Sequence, residues 1–454
     1  MMRAIRPSRL VVRGVTLAGR ADPAGPVDVL LERGGQGKIL AIGSRGSYGA
    51  VDSDAHTTHV INAQGLVAMP GILNAHACDV TGAHQVAAAV DNVTSRVGNA
   101  DGDIKAQTAK RSTHALTLAK SMATMVAMLK TGTTSALFPA QAHPEAMVEA
   151  AVRVGMRATV AVIAQDSAIR GDPATAAAID VERVMSLARR WRPHPTVTLA
   201  LGLDTTLVQC RPAYLDAVVG LSTKYDLRVH ARVDRRDASS YARSVARLGR
   251  LALCGTRLSI ALCDSATGAD APVPVYSHVP PLERMTDRRR SLWPLAEAVG
   301  GGPACPFERM RRLASVDGTM GAHDAWRLVV RPGRRVRTNN NDSTNMLDSL
   351  RVGDAADLVL INPSRFALSR SWPFPTVTDA CGRADDGGGM RGTPACPFSE
   401  GNALDRDKEH DDSFGVDAIL RHCRSSDVAC VIVAGRIVVA LGAATLVDER
   451  AIPR

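Results

Sequence analysis

Residues 61–79 read INAQGLVAMPGILNAHACD. An alternating apolar strand runs into Pro70-Gly71, and a second short apolar run, ILNA, follows and ends in His76, Cys78 and Asp79. Alternating side chains along a strand put positions 76 and 78 on one face. Two potential metal ligands are therefore expected to leave the end of one strand together.

Working outward in both directions, the texture of the chain changes at Pro70. Before it, LVVRGVTL, VDVLLE, KILAIG and HVINAQGLVA are short apolar runs separated by Gly, Pro and Asp, which is the pattern of an all-β unit over 9–68. After it, helical periodicity alternates with short apolar strands. Helices are expected over 109–131, 143–154, 177–191, 212–225 and 239–250. Strands are expected over 133–138, 157–163, 196–203, 227–233 and 257–262. Such β/α alternation argues for a parallel sheet closed into a barrel. The tail turns β-rich again at GDAADLVLIN (353–362) and VACVIVAGRIVVA (428–440). The stretch between them is rich in Gly, Asp, Arg, Ser and Pro and reads as a partly disordered, low-complexity insertion over 363–426.

Composition narrows the function classes. The chain has 454 residues, 45% of them hydrophobic but only 3% aromatic, so its core is built from Ala, Val and Leu. The net charge is +10. Arg clusters at 284–290 and 331–337 lack interleaved aromatics and any nucleic-acid motif, so they read as solvated surface rather than a nucleic-acid contact. The nine Cys are irregularly spaced with no CxxC pair, which favours a reducing compartment, and a cytoplasmic location is expected. Five Arg and no acid in residues 1–20 would suit a transit peptide, but LVVRGVTL reads better as a first strand. No apolar run approaches 18 residues, so no membrane partner is expected.

The stretch 61–79 resembles the amidohydrolase superfamily, whose first barrel strand ends in His-x-His after a Pro-Gly turn, with Cys78 here in place of the second His. VDVLLE and KILAIG resemble that family's opening half-sandwich, GDAADLVLIN its G-x-x-ADLV strand, and VIVAGRIVV its last hairpin. LKTGTTSALF and VGMRATVAV resemble the deaminase and chlorohydrolase branch. The resemblance implies a (β/α)8 TIM-type barrel over 69–352. It also implies a composite β-sandwich of 9–68 with 353–362 and 427–454.

The activity implied is metal-dependent hydrolysis of a non-peptide C–N bond, in a cyclic amidine or nucleobase-like small molecule. Such a site needs three or four protein ligands around Zn2+ or Fe2+, at the C-terminal ends of barrel strands, with a carboxylate beside the metal to carry the proton. The implied ligands are His76, Cys78, His230 and Asp317, with Asp317 also the general base. Cys78 reads equally as a thiolate ligand or as a small buried residue.

His230 ends the run LRVH, where this branch carries its third His within His-x-His-x-x-Glu. With His230 as the ligand, the acid position falls on Val233, one before Asp234. If the motif instead starts at His230, the ligand position is Arg232 and the acid position is Arg235. The fourth His position falls on Leu262, which binds no metal, with Cys263 and Asp264 next to it. Asp317 lies in SVDGTMG, and only 36 residues separate it from Gly353, so the last barrel helix is expected to be missing or short. These departures leave a second reading open, a catalytically inactive paralogue acting as a binding or scaffold subunit. A homodimer is the assembly to expect.

Overall fold

The computed structural model describes residues 8–19, 25–48, 58–77, 114–164, 171–191, 194–203, 207, 210–234, 238–263, 273–276, 298–300, 305–315, 321–330, 349–363 and 416–452. Strands β1 (Arg9–Leu17), β2 (Val27–Glu32), β3 (Ile39–Ser44), β4 (Thr58–Asn62) and β5 (Val67–Pro70) come from the N-terminal end. They join β14 (Leu358–Ile361), β15 (Val428–Val433), β16 (Arg436–Ala440) and β17 (Ala443–Ala444) in one nine-stranded sheet.

This sheet folds over on itself at β1. The first half of β1 pairs with β4 (Arg9–Arg13 to Thr58–Asn62), and its end (Thr16, Leu17) pairs with β5. A register shift between Val12 and Val15 marks the change of partner. Gly14 sits there with φ +69, and its amide donates to the buried Asp28 carboxylate at 2.8 Å. A bulge bends a strand and raises its twist, which is how one strand serves two layers.

The apolar runs of the later strands make sense once both faces are counted. Ala68, Leu358, Leu360, Cys430 and Ile432 point into the core between the two layers. The alternate residues Val67, Met69, Val359, Ile361, Val431 and Val433 point the other way, into the large core shared with the helices. A strand buried on both faces reads as a continuous apolar run, and each fully buried Val, Ile or Leu contributes about 1.5–3 kcal/mol.

At Pro70-Gly71 the chain passes to a second sheet. A Cβ on Gly71 would sit 2.1 Å from Thr134 Oγ1, so no larger residue fits without displacement. The second sheet has eight strands in sequential order from β6 to β13. They are β6 (Ile72–Asn74), β7 (Thr133–Ala140), β8 (Arg157–Ile163), β9 (Val197–Leu203), β10 (Arg228–Asp234), β11 (Leu258–Cys263), β12 (Val273–Tyr276) and β13 (Ala298–Gly300).

The strands β6 to β11 are parallel throughout. They are joined by α1 (His114–Lys130), α2 (Pro144–Val154), α3 (Pro173–Trp191), α4 (Pro212–Tyr225) and α5 (Ala238–Leu251). Helix α3 begins before the expected position 177 because Asp172 caps it. The Asp172 carboxylate accepts from the Thr175 amide at 2.8 Å, and that bond holds it below the usual carboxylate range.

Three features depart from a regular eight-fold barrel. Strand β12 runs antiparallel to β11, and β13 antiparallel to β12. The end strands β13 and β6 lie side by side, and no ladder joins them among the described residues. After β13 come α6 (Pro306–Ser315) and the short α7 (Ala322–Val330), so a last helix is present. Within the segment expected to be a low-complexity insertion, α8 (Val416–His422) is helical and packs Val416, Ile419 and Leu420 into the large core. Residues 364–415 and 339–345 lie outside the described residues.

The two sheets are joined through Asp357. Its carbonyl accepts from Gly71 N at 2.8 Å. Its carboxylate accepts from Ala434 N at 2.8 Å and from Arg157 Nε and Nη2 at 2.6 and 2.9 Å. Removing one partner of a largely buried pair strands the other, so Asp357→Ala is expected to cost about 3 kcal/mol in urea denaturation. The Asp172 cap gives a pH signature. A lowered folded-state pKa stabilises above the unfolded value and is lost as pH falls through the folded one. Asp172→Ala should therefore lower the unfolding midpoint at pH 7, with the difference from wild type disappearing in acid.

Candidate active site

His76 and His230, 154 positions apart, meet inside the second sheet. His76 Nδ1 lies 2.8 Å from His230 Nε2, and the rings are stacked with centroids 5.1 Å apart at 28°. Each residue is only 1% exposed. His76 is not on the strand itself. Strand β6 ends at Asn74, residues 75 and 76 form a bend, and Ala77 rejoins the ladder by donating its amide to Leu137 O at 2.8 Å. The simple alternation expected from 76 to 78 is thus broken at the bend. Cys78 lies outside the described residues.

Strand β10 places His230. Val229, Ala231 and Val233 point into the core against the helices, so His230 and Arg232 face the inner side of the sheet. His230 is the third residue of β10, which continues to Asp234. The expectation that His230 ends its strand is therefore corrected. The inward position nearer the strand end is Arg232, which is the placement of the second motif alignment.

Ser259 stands beside His230 in the parallel register of β10 and β11. Its Oγ is 2.8 Å from His230 Nδ1 and reaches Val229 O at 3.5 Å. With Ser259 donating to Val229 O, His230 Nδ1–H donates to Ser259 Oγ and leaves His230 Nε2 as an acceptor facing His76. A ring nitrogen held in that tautomer by a bond on the other nitrogen is the usual arrangement of a metal-ligating imidazole. Ser259 was not singled out from the sequence. The only signal for it was its place on the His230 side of the run RLSIAL.

Leu262 also differs from expectation. It is 1% exposed and lies in the core between sheet and helices with Leu258 and Ile260. The inward residues of β11 are Ser259, Ala261 and Cys263, the last two packed with Ala75, Val275 and Leu73. Cys263 therefore reaches the inner face with no turn of the backbone, and Leu262 is no vacant ligand position. Asp264, His278 and Asp317 lie outside the described residues. Helix α6 ends at Ser315 and α7 begins at Ala322.

Two nitrogens bound to one tetrahedral zinc at about 2.0–2.1 Å stand roughly 3.3 Å apart. The 2.8 Å between His76 Nδ1 and His230 Nε2 is a hydrogen-bond distance, so the two rings would have to open by about 0.5 Å to hold one zinc between them. Among the described residues no group of three His, Cys, Asp or Glu side chains forms a metal centre. No helix among them is long and apolar enough to cross a membrane.

No protein-family model and no curated protein sequence matches the chain. Solved structures do. A mutant of atrazine chlorohydrolase TrzN from Arthrobacter aurescens TC1, complexed with zinc and atraton, superposes with a TM-score of 0.61 at 16% identity over 98% of both chains. An adenosine deaminase from Xanthomonas campestris with bound zinc gives 0.60 at 16% identity, over 98% of this chain and 96% of that one. E. coli guanine deaminase gives 0.52 at 15% identity, over 96% and 98%. The likeness is one of fold.

The position of Leu262 yields a test. If Leu262 were a lost inward ligand, Leu262→His would restore metal binding. Facing the helices, it should instead destabilise by about 2–4 kcal/mol and leave the metal content of the purified protein unchanged.

Proposed function

We propose that this chain is an amidohydrolase-type, metal-dependent hydrolase of non-peptide C–N bonds, acting on a cyclic amidine or nucleobase-like small molecule. The observation that carries the reading is the His76–His230 contact. Two imidazoles from distant parts of the chain share one buried point, and a serine hydroxyl lies within hydrogen-bond distance of one. The candidate ligands are His76 and His230 with Cys78 and Asp317, for Zn2+ or Fe2+.

A divalent metal held there would lower the pKa of water to about 7 and polarise the carbon under attack. Asp317 would take a proton from the water and return it to the leaving nitrogen, so that ammonia would depart as a carbonyl forms. Ser259 positions His230. Substrate enters from the C-terminal ends of the parallel strands. The working form is assigned to the cytoplasm, as a homodimer, with no nucleic-acid or membrane partner.

A second reading is a catalytically silent paralogue that binds a ligand or partner. Arg232 favours it, because its cationic side chain takes the inward position beyond His230.

Metal analysis of the purified protein separates the two. The hydrolase should carry about one equivalent of zinc or iron per chain, lost on His76→Ala with the fold retained by circular dichroism. Folded wild-type protein that takes up neither metal would overturn the reading.

A further inference from the structure

Two turns meet where the first sheet touches the start of the second. The turn after β2 is closed by Glu32 N donating to Lys38 O at 2.8 Å, and Ala434 to Arg436 form the turn from β15 into β16. Gly34 N donates to Ala434 O at 3.1 Å. Ala356 ties the turns together, its amide donating to Gly37 O and its carbonyl accepting from Gly435 N, both at 2.9 Å. A Cβ on Gly435 would sit 3.1 Å from Arg33 Cα, and one on Gly34 would sit 3.4 Å from Arg436 Nη2. Arg157 opens β8 and donates from Nη2 to Gln36 O at 3.2 Å. The turns therefore lie at the N-terminal ends of the parallel strands, where His194 precedes β9.

This junction gathers positive charge with no carboxylate to balance it. Arg33 and His194 are half-buried, and Arg436 is exposed. Burial first, and the charge of Arg436 second, lower both Arg33 and His194 from their ordinary values. Burial and then the charge of Arg33 do the same to His59. Among the described residues no acid pairs with any of these four side chains. Arg157, by contrast, is neutralised by Asp357. Like charges held together on a fixed backbone repel until an anion joins them.

The donors suit one kind of anion. Each guanidinium presents parallel N–H groups in a rigid fork that matches a phosphate. Thr196 Oγ1 lies 3.1 Å from His194 Nδ1. With that hydroxyl donating to Nδ1, His194 Nε2–H is a further donor. Two guanidiniums and an imidazole exceed what one carboxylate balances, whereas a phosphate group carries about two charges and three acceptor oxygens.

We infer that the two turns form a binding surface for a phosphate-bearing molecule, with Arg33 and Arg436 as its cationic donors and His194 beside them. The surface lies at the opposite ends of the strands from the proposed substrate entry. The inference therefore stands whether or not the His pair holds a metal.

The test uses the full-length protein with inorganic phosphate as the probe and acetate as the comparison, at constant ionic strength. Calorimetric titration and thermal unfolding are the readouts. Wild type should bind phosphate at least threefold more tightly than acetate. Arg33→Gln and Arg436→Gln should each weaken phosphate binding threefold or more. Arg312→Gln, which removes an exposed charge on α6, should stay within twofold of wild type.

Phosphate affinity less than threefold above that for acetate would overturn the inference. So would a loss of less than threefold in R33Q or R436Q, or a loss in R312Q as large as that in R436Q, which would leave only the net charge of the chain. If R436Q does not fold, Arg436→Lys decides. It keeps the charge and removes the fork, so binding weakened threefold or more supports the inference and smaller changes overturn it.

Sedimentation with phosphatidylcholine vesicles, with and without phosphatidic acid, separates the sources of the phosphate. Retention on the phosphatidic acid vesicles that is lost in R436Q supports the inference with a lipid headgroup as the ligand. Phosphate binding without retention supports it with a soluble phosphate compound.

Discussion

The architecture hangs on the hydrogen bonds that converge at Asp357. Its carbonyl takes the Gly71 amide, and its carboxylate takes the Ala434 amide and both arms of the Arg157 fork. Those partners come from the turn between the sheets, the last hairpin of the first sheet and the start of β8 in the second. A charge removed from water is tolerated only where its acceptors are filled with good geometry. The carboxylate therefore accepts one arrangement of three distant segments and penalises the others. That arrangement sets where β6 begins, and β6 sets where the bend carrying His76 falls.

Parts of the fold were legible because two faces of a strand leave a mark. The runs LVLI and CVIV (430–433) are apolar at consecutive positions, and each parity goes to a different core. The composite sheet could be read from both chain ends for that reason. The end of the second sheet was not legible. Whether β12 and β13 run parallel or antiparallel depends on pairing with β11 and not on their own few residues. Helix α3 was placed late because Asp172-Pro173 looks like loop punctuation, whereas Asp at the cap and Pro in the first turn also open a helix. Helix α8 sits in a stretch whose composition is polar, and its few apolar residues matter only through the core they meet.

The site was legible in its residue types and misread in its parity. His76 and His230 were found as candidate ligands by type and motif, and they do meet. Strand ends, however, carry no side-chain signal of their own, and β10 runs four residues past His230. A shift of one residue moves a side chain to the opposite face. Leu262 and Cys263 show the consequence. Adjacent in sequence, they belong to different cores, and only the second shares the side of His230. Register partners settle what motif spacing leaves open, since Ser259 and Ala261 stand beside His230 and Arg232.

The division between these two sets of residues explains how such a chain keeps its fold while its chemistry drifts. Val229, Ala231, Val233, Leu258, Ile260 and Leu262 hold the sheet to its helices, and each is buried among apolar neighbours. The alternate residues His230, Arg232, Ser259, Ala261 and Cys263 carry little of that packing. A change on the first set is felt as a cavity or a clash. On the second set it is felt mainly as a change of charge or hydrogen bonding at the inner face. An arginine can therefore stand on the inner face without disturbing the strand that carries it. The fold constrains the parity of each position but leaves open what the inner parity binds, so the inner face is where function is decided.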